Sequence, residues 1–599
     1  MNTSKNLNER QEEAARHPGG PLLIAAGAGS GKTHTLISRM RFLMDELGVP
    51  ALRILAITFT NKAAEEMRKR SGAPTGTFLG TFHSWGARLL RHEARHFGRT
   101  PGFTIFDEDD AGSLLKQIAK SRNLSKETCG LPVLARLVGT IKNEMIAPEA
   151  AAKNCPKELD PETAKAVWED YEQALRENNA FDFDDLIQKP VQLFIERPET
   201  LAKWQAKYDH VLIDEYQDIN GAQYELVKLL AMGHRNLSVV GDDAQSIYAF
   251  RGADFRNFLN FERDWAGAKV VVLEENYRST PVILEAANCV IKNNAVQKQK
   301  NLWTKNPGTD KIRVYAAETE EHEAEWIVKS AIAEMRKGTL LEAAAVLYRT
   351  NAQSRAIEQA LIAAGLPYRI FGGIRFYERK EIKDIMAGLR VAANPADAVA
   401  AERLAKNFSK GKATGLMESL PRMGGSANAE AIIRHFLEST NYLDYLKNNY
   451  KNARERIENV QGLLNFAKAS EEKGLAAFLE QATLTQSTDD PKGKRGINLM
   501  SIHMSKGLEF DAVFVAGASE GILPHHRSYS SAGEMEEERR LMYVATTRAG
   551  KRLSFSFTGV PSRFLYEIAG NLVEFVNNSD RPGKPKSMPS EEDLWLDYD

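Results

Sequence analysis

The stretch AAGAGSGKTHTLISRM, residues 25–40, constrains this chain more than any other. It closes a short apolar run at residues 22–25, places glycines at 27, 29 and 31, and then becomes helical in its periodicity. A glycine-rich turn between a buried strand and a helix opening at Lys32 points several backbone N–H groups into one concave space at a helix N-terminus. Such a space suits polyphosphate. The P-loop pattern gives Lys32 the β- and γ-phosphates and the Thr33 hydroxyl a Mg²⁺ ion, with Ala26, Gly27, Ala28, Gly29, Ser30 and Gly31 as the cradle. Ala26 stands where the pattern has its first glycine, and a small residue suffices there if its φ is negative. The competing reading, a glycine-rich turn that binds nothing, fits the strand–turn–helix context poorly.

With 599 residues, 43% hydrophobic and 27% charged, the chain is long enough for more than one core. A formal net charge of −1 gives no overall pull toward nucleic acid or membrane, so a polyanionic partner must be met by local patches. The three cysteines, Cys129, Cys155 and Cys289, have neither disulfide-framework nor zinc spacing. They suit a reducing compartment. The polar N-terminus has no apolar signal core, and no apolar run is long enough to span a bilayer. A cytoplasmic protein with no membrane contact is expected.

Apolar runs of four to seven residues recur before helical patterns: LLIAA, ILAIT, HVLIDE, LSVVGDD, KVVVLE, IRVYAA, AAVLY, INLMSI and DAVFVAG. This is the pattern of buried parallel strands with crossover helices, an α/β fold. Two long stretches read as almost wholly helical. The expected division is a first core at residues 1–84 and 208–280 interrupted by a helical insertion at 85–207, and a second core at 281–381 and 496–576 interrupted by a helical insertion at 382–495. STDDPKGKRG is the polar link back into the second core, and the Pro-, Ser- and charge-rich tail 577–599 is expected to be disordered. Within that tail EEDLWLDYD carries two apolar anchors, Leu594 and Trp595, among acids. It reads either as a partner-binding motif or as an unselected solvated terminus.

HVLIDEYQD puts Asp214 and Glu215 at a strand end, the arrangement in which an aspartate serves Mg²⁺ and a glutamate orients and deprotonates an attacking water. In VVGDDAQSIYAFRGAD, Gln245 suits a phosphate or that water, while Tyr248 and Phe250 suit unpaired bases. Filling the core beneath the sheet is the other reading of both rings. EENYRSTP and ERRLMYVATTRA supply Arg278 and Arg548, guanidinium groups of the kind that stabilise γ-phosphate charge.

Taken in order, LNERQ, the P-loop, AITFTNKAAEEM, GTFHSW, IDEYQD, GDDAQSIYAFRGA, ENYRST, YRTNAQSRAIEQAL, SIHMSKGLEFDAVFV and RRLMYVATTRA cover residues 7–549. This set resembles a superfamily 1 DNA helicase of the UvrD/Rep/PcrA type. The resemblance implies two RecA-like P-loop cores with parallel sheets, each carrying a mostly helical insertion. It gives Gln11 and the Tyr277 ring the adenine, Lys32 and Thr33 the phosphates and Mg²⁺, Asp214 the metal and Glu215 the hydrolytic water. Gln245, Arg278 and Arg548 then sense the γ-phosphate, and Glu509 lies near the ribose. On the DNA side it implies Phe59, Thr60, Asn61, His83, Tyr248, Phe250 and His503. Without the motif, His83 and His503 read as satisfied strand-end histidines.

The activity so implied is ATP-driven 3′→5′ movement on single-stranded DNA with duplex unwinding, in repair or replication restart, and with single/double-strand junctions among the substrates. A translocase that mainly displaces proteins from DNA is the alternative, and a non-catalytic DNA-binding scaffold is a third reading. The second insertion departs from the family at KNFSKGKATG: relatives carry a G-I-G turn, whereas Lys412 and Ala413 follow Gly411 here. The expectation is a turn at this place, or at RMGGSA, making loose electrostatic contact with duplex phosphates.

Overall fold

The computed structural model describes residues 7–74, 76–124, 129–153, 159–371, 376–395, 397–423, 428–469, 474–475, 478–479 and 496–576. After a short helix, α1 (Glu9–Ala15), come β1 (Leu22–Ala26), α2 (Lys32–Asp45), β2 (Ile54–Thr58), α3 (Asn61–Ser71) and β3 (Phe78–Thr81). A mainly helical stretch follows, holding a parallel pair, β4 (Thr104–Phe106) and β5 (Ala180–Asp182). The chain then returns as β6 (His210–Ile213), β7 (Leu237–Gly241) and β8 (Lys269–Leu273). These strands, the β4–β5 pair apart, form one parallel sheet in the order β3-β2-β6-β7-β1-β8.

The second sheet takes β9 (Ile312–Ala317), β10 (Ala344–Tyr348), β11 (Tyr368–Ile370), β12 (Ile497–Ser501), β13 (Phe510–Ala516), β14 (Ala549–Thr558) and β15 (Val573–Val576). Their order is β11-β12-β10-β13-β14-β9-β15, again parallel. The helices Lys380–Ala393 to Ala453–Ala469 lie between β11 and β12.

The central strands β1, β2, β6 and β7 are buried along their whole length, because helices cover both faces of the sheet. The edge strand β8 is exposed at intervals. Trp85, Trp204 and Trp265 fill one face of the first sheet, and Leu36, Met40 and Leu43 of α2 fill the other. Each helical insertion has a core of its own, around Leu134, Val167 and Tyr171 in the first and Ile385, Phe436 and Tyr442 in the second. Parallel strands all end on one side of their sheet, so the loops after β1, β2, β6 and β7 meet at one rim.

Three differences from the sequence reading stand out. The first insertion, mostly helical as expected, also holds a short strand pair, β4 and β5, that the sequence reading did not single out. Strands β3, β11, β14 and β15 join the sheets without the apolar run that marks the others; β14 alternates serine with Leu553, Phe555 and Phe557, and its Ser554 and Ser556 are themselves buried. The turn expected at KNFSKGKATG is a helix, Lys410–Met423, whose first residues include Gly411, Lys412 and Ala413. Ala413 is buried against the bundle, and Lys412 Nζ donates to the Thr440 carbonyl at 2.5 Å, so this lysine is tied to its own domain. The loose electrostatic duplex contact loses its basis there. Residues 424–427 of RMGGSA, residues 487–495 of the link and the tail 577–599 lie outside the described residues.

Candidate functional site

The loop after β1 is shaped by close packing. Gly29 and Gly31 take φ of +66° and +83°, which an L side chain rarely adopts, and a Cβ at Gly31 would lie 2.7 Å from Gln11 Nε2. At Gly27 a Cβ would come within 2.2 Å of Leu302. Ala26 still belongs to β1, in register with Leu273, so alanine serves where the P-loop pattern has glycine. Ser30 Oγ closes the turn on the Gly27 carbonyl at 2.8 Å.

The segment Asn276–Thr280 braces this loop from outside. Asn276 Nδ2 donates to the Ala28 carbonyl at 2.7 Å and the Tyr277 amide to the Gly29 carbonyl at 3.0 Å. At its other end Ser279 Oγ donates to the Ala549 carbonyl at 2.6 Å, next to Arg548. One short strap therefore touches both the P-loop and the second sheet. Gln11 is brought to the loop by α1, but its Nε2 is occupied by the Ser30 carbonyl at 2.8 Å and its Oε1 by the Asn8 amide at 3.0 Å. The Tyr277 ring is half exposed, its hydroxyl donating to Glu275 at 3.0 Å and accepting from Asn8 Nδ2 at 2.8 Å.

At the end of β6, Asp214 is buried with one oxygen on the Glu215 amide at 3.0 Å and the other 3.5 Å from Thr58 Oγ1. Burial and the Glu215 charge push its carboxyl up to about 7. Glu215 takes a left-handed φ of 52°, a conformation that costs a non-glycine residue on the order of 1–3 kcal/mol. Burial would raise the Glu215 carboxyl, but Lys32 and Lys506 outweigh it and hold the group below its ordinary value. Gln217, which the motif reading left without a role, donates from Nε2 to Glu215 at 2.6 Å and accepts the Asp242 amide at 2.9 Å. It fixes the direction of the glutamate. Burial lowers the Lys32 ammonium, against Glu215 and Asp242.

The second sheet contributes cations to the same gap. Gln245 is held by Asp242 at 2.7 Å, and its Oε1 accepts Arg548 Nη2 at 3.1 Å. Arg548 is 1% exposed, its other nitrogens on the Val544 and Leu508 carbonyls, and burial with Arg278 nearby pushes it down to about 9. Arg278 donates to Glu509 at 2.7 Å and to the Thr547 carbonyl at 3.0 Å, so Glu509 is here the arginine's partner. Lys506, a second residue without an assigned role, reaches across to Asp218 and to the Gln245 carbonyl, each at 2.5 Å. Burial pushes Asp218 up to about 7 against the pull of that lysine.

Below the gap runs an aromatic line. Phe59 stacks on Tyr248 at 5.2 Å, Tyr248 lies 6.0 Å from Phe250, and Phe250 meets the His503 ring edge-on at 5.5 Å. Phe250 is 67% exposed, which removes the core-packing reading; Tyr248 is half-buried, its hydroxyl on the His503 carbonyl at 3.3 Å. Lys506 Nζ sits 5.1 Å from the centre of the Tyr248 ring, so one side chain contacts both cleft and line. Thr60 caps α3 by accepting the Ala63 amide at 3.1 Å and, with Asn61, is exposed beside Phe59. His83 stacks at 3.9 Å on Phe183, a half-exposed ring the motifs did not single out, and burial pushes the imidazole down to about 4.

Two cavities flank Tyr248. One, of about 530 Å³, is walled by Phe59, His83, Phe183 and Asn220. The other, of about 540 Å³, is walled by Phe250, His503, Arg349 and Arg454. Among the described residues no cluster of three or more His, Cys, Asp or Glu side chains could hold a metal ion unaided.

Comparison with known proteins adds the following. A model of the UvrD/REP helicase N-terminal domain matches residues 7–266, and one of the UvrD-like helicase C-terminal domain matches residues 271–441 and 426–559. The ATP-dependent DNA helicase PcrA of Staphylococcus epidermidis is 39% identical over 98% of this chain and 89% of its own length. The protein of the same name from Staphylococcus aureus is 38% identical over 98% and 90%.

Proposed function

Because the chain belongs to the UvrD/REP helicase family, we propose that it is an ATP-hydrolysing DNA helicase that moves 3′→5′ along one strand and unwinds duplex ahead of it. The observation that carries the reading is the meeting of Arg548 with Gln245 and of Lys506 with Asp218, where two sheets face each other over the P-loop. A triphosphate on the loop amides and Lys32 would lie between charges from both sheets, so its binding favours a closed cleft and loss of the γ-phosphate removes the bridge. Gln245 and Arg548 would meet that phosphate, Arg278 joining them by exchanging Glu509 for it. Glu215, held by Gln217 and kept ionised by Lys32 and Lys506, would orient and deprotonate the water.

Mg²⁺ suits the remaining donors. Asp214, a buried carboxyl pushed up by a neighbouring carboxylate, gains most from a divalent cation, and Thr33 at the start of α2 offers the hydroxyl. Such an ion neutralises phosphate charge. With no all-protein cage among the described residues, it would arrive with the nucleotide.

Stacked bases on Phe59, Tyr248, Phe250 and His503 would be held without regard to sequence, and Lys506 links the ring of Tyr248 to the cleft that opens and closes. Polarity, a role in repair or replication restart, and the binding of single/double-strand junctions follow from the family resemblance. No described helix is long and apolar enough to cross a membrane. With its well-separated cysteines, the chain suits the cytoplasm. Strand displacement on duplexes with a 3′ or a 5′ single-stranded tail, beside translocation on bare strands, tests the reading: ATP-dependent unwinding of the 3′-tailed substrate alone is expected, and unwinding only from 5′ tails would overturn the direction.

A further inference from the structure

The helix that carries Gln11 is a weak element by itself. α1 has seven residues, too few to be stable alone, and besides Gln11 it buries only Ala14 and Ala15, small side chains that anchor little. Polar struts must hold it. At its N-terminal end Asn8 and Gln11 form a reciprocal capping box, Asn8 reaches Glu275 and Tyr277, and Gln11 reaches the Ser30 carbonyl.

At the other end stands Arg39, two turns into α2 from Lys32 and 0% exposed. Its Nη1 donates to the His17 carbonyl at 2.6 Å and to the Ala15 carbonyl at 3.4 Å, and its Nε to Ser238 Oγ on β7 at 2.6 Å. None of these partners is a carboxylate, and burial pushes the guanidinium down to about 10. A buried cation without a carboxylate is costly, and Met in its place would remove that cost together with the bonds to Ser238 and the two carbonyls, terms of opposite sign. What the side chain does supply is a fixed spacing between the end of α1, the P-loop helix and β7.

We propose that Arg39 is a positioning residue for nucleotide recognition: by clamping the C-terminal end of α1 to α2 and β7 it sets where Gln11 and Tyr277 meet the base of ATP. The proposal rests on reading Gln11 as the adenine contact. Without the clamp the C-terminal end of α1 is released from α2 and β7, so a short helix held only through Asn8 and Gln11 no longer fixes Gln11, and the base site loses definition while the phosphate cradle stays intact.

The test measures kcat and KM for ATP and for GTP on the full chain with saturating single-stranded DNA, together with thermal unfolding, in Arg39→Met, Arg39→Lys and Gln11→Ala. Arg39→Met should raise KM for ATP by about tenfold with kcat within about twofold, and should narrow the ATP-over-GTP preference in kcat/KM by about tenfold. Its melting temperature should stay near the parent's. Arg39→Lys, whose ammonium can still reach one carbonyl, should fall between Met and parent, and it carries the test if the Met variant does not fold. A preference narrowed by Gln11→Ala but untouched at Arg39 overturns the proposal and leaves the adenine reading standing. A lowered melting temperature and kcat with the preference unchanged marks Arg39 as merely structural. If Gln11→Ala leaves the preference intact, the adenine reading fails and the proposal with it.

Discussion

Around the cleft Asp214, Gln245 and Arg548 are each no more than 3% exposed, whereas along the aromatic line Phe250 is 67% and Phe183 53% exposed. The cleft holds a network of buried polar side chains that fix one another: Gln217 joins Glu215 to the Asp242 amide, and Gln245 joins Asp242 to Arg548. The line consists of rings in contact with one another, two of them largely exposed. The contrast matches two different demands. Stabilising the charge of a transferring phosphoryl group requires dipoles and charges already in place before the reaction. Holding a strand that must be released and regripped requires contacts that any base can make.

That contrast can be broken from the cleft side first. Lys32→Ala should abolish measurable ATP hydrolysis and leave single-strand affinity within about twofold of the parent, because the P-loop pattern gives the lysine the phosphates and not the rings. Steady-state ATPase and fluorescence anisotropy with an oligothymidine report the two halves; a parallel loss of DNA binding would mean that the regions are not separable. Arg548→Ala should lower DNA-stimulated turnover by about three powers of ten if its guanidinium meets the γ-phosphate. The Gln245 contact and the two carbonyl contacts of Arg548 are also lost, so thermal unfolding should accompany the kinetics.

Gln217→Ala gives a smaller effect of a different kind. Its hydrogen bond to a charged carboxylate is worth about 1.5–3 kcal/mol, so kcat should fall roughly ten- to hundredfold with KM for ATP little changed. A rise in KM without a fall in kcat would mean that Gln217 shapes the binding site and does not aim Glu215. On the other side, Phe250→Ala removes a stacking surface worth about 1–3 kcal/mol per base. Single-strand affinity and translocation rate should drop while DNA-free hydrolysis persists. An unchanged translocation rate would remove Phe250 from the line.

The same contrast explains what could be read from the sequence. Lys32, Asp214, Glu215, Gln245 and Arg548 announce themselves because charged or amide side chains stand just beyond apolar strands or in a compact motif, where a buried structural role is costly. Rings give no such signal: Tyr248 and Phe250 suit a core as well as a base, and only exposure separates the two readings. Phe183 was missed because it lies inside the first helical insertion, far in sequence from its partner His83, which precedes the insertion. Gln217 and Lys506 sit inside quoted motifs, yet their roles depend on which atoms of the facing sheet they reach. The fold was legible where strands are buried on both faces. It was not at β14, where buried serines interrupt the apolar pattern, nor at Lys410–Met423, where likeness to the family's G-I-G turn suggested a turn but Leu416 and Leu420 pack the helix into the bundle.

The smallest predicted effect concerns His83, which stacks on Phe183 and whose charge decides to which set of rules it belongs. If it met a DNA phosphate as a cation, it would belong with the salt-dependent contacts, and affinity would rise as pH fell through the ordinary histidine range near 6.5. Burial instead pushes it down to about 4, and its ring lies flat on Phe183. It is therefore neutral in the folded protein across the range in which a free histidine titrates, and acts as a ring. The affinity for an oligothymidine attributable to His83, taken as the difference between the parent and His83→Phe, should stay flat from pH 7.5 to 5.5, with equal slopes against log salt concentration. Linkage gives a second sign to check. The unfolded chain binds a proton at this site below about 6.5 and the folded chain does not until about pH 4, so the stability difference between parent and His83→Phe should move against the parent as pH falls through that window. An affinity difference that grows toward pH 5.5 would place His83 among the charged contacts and blur the boundary between cleft and line.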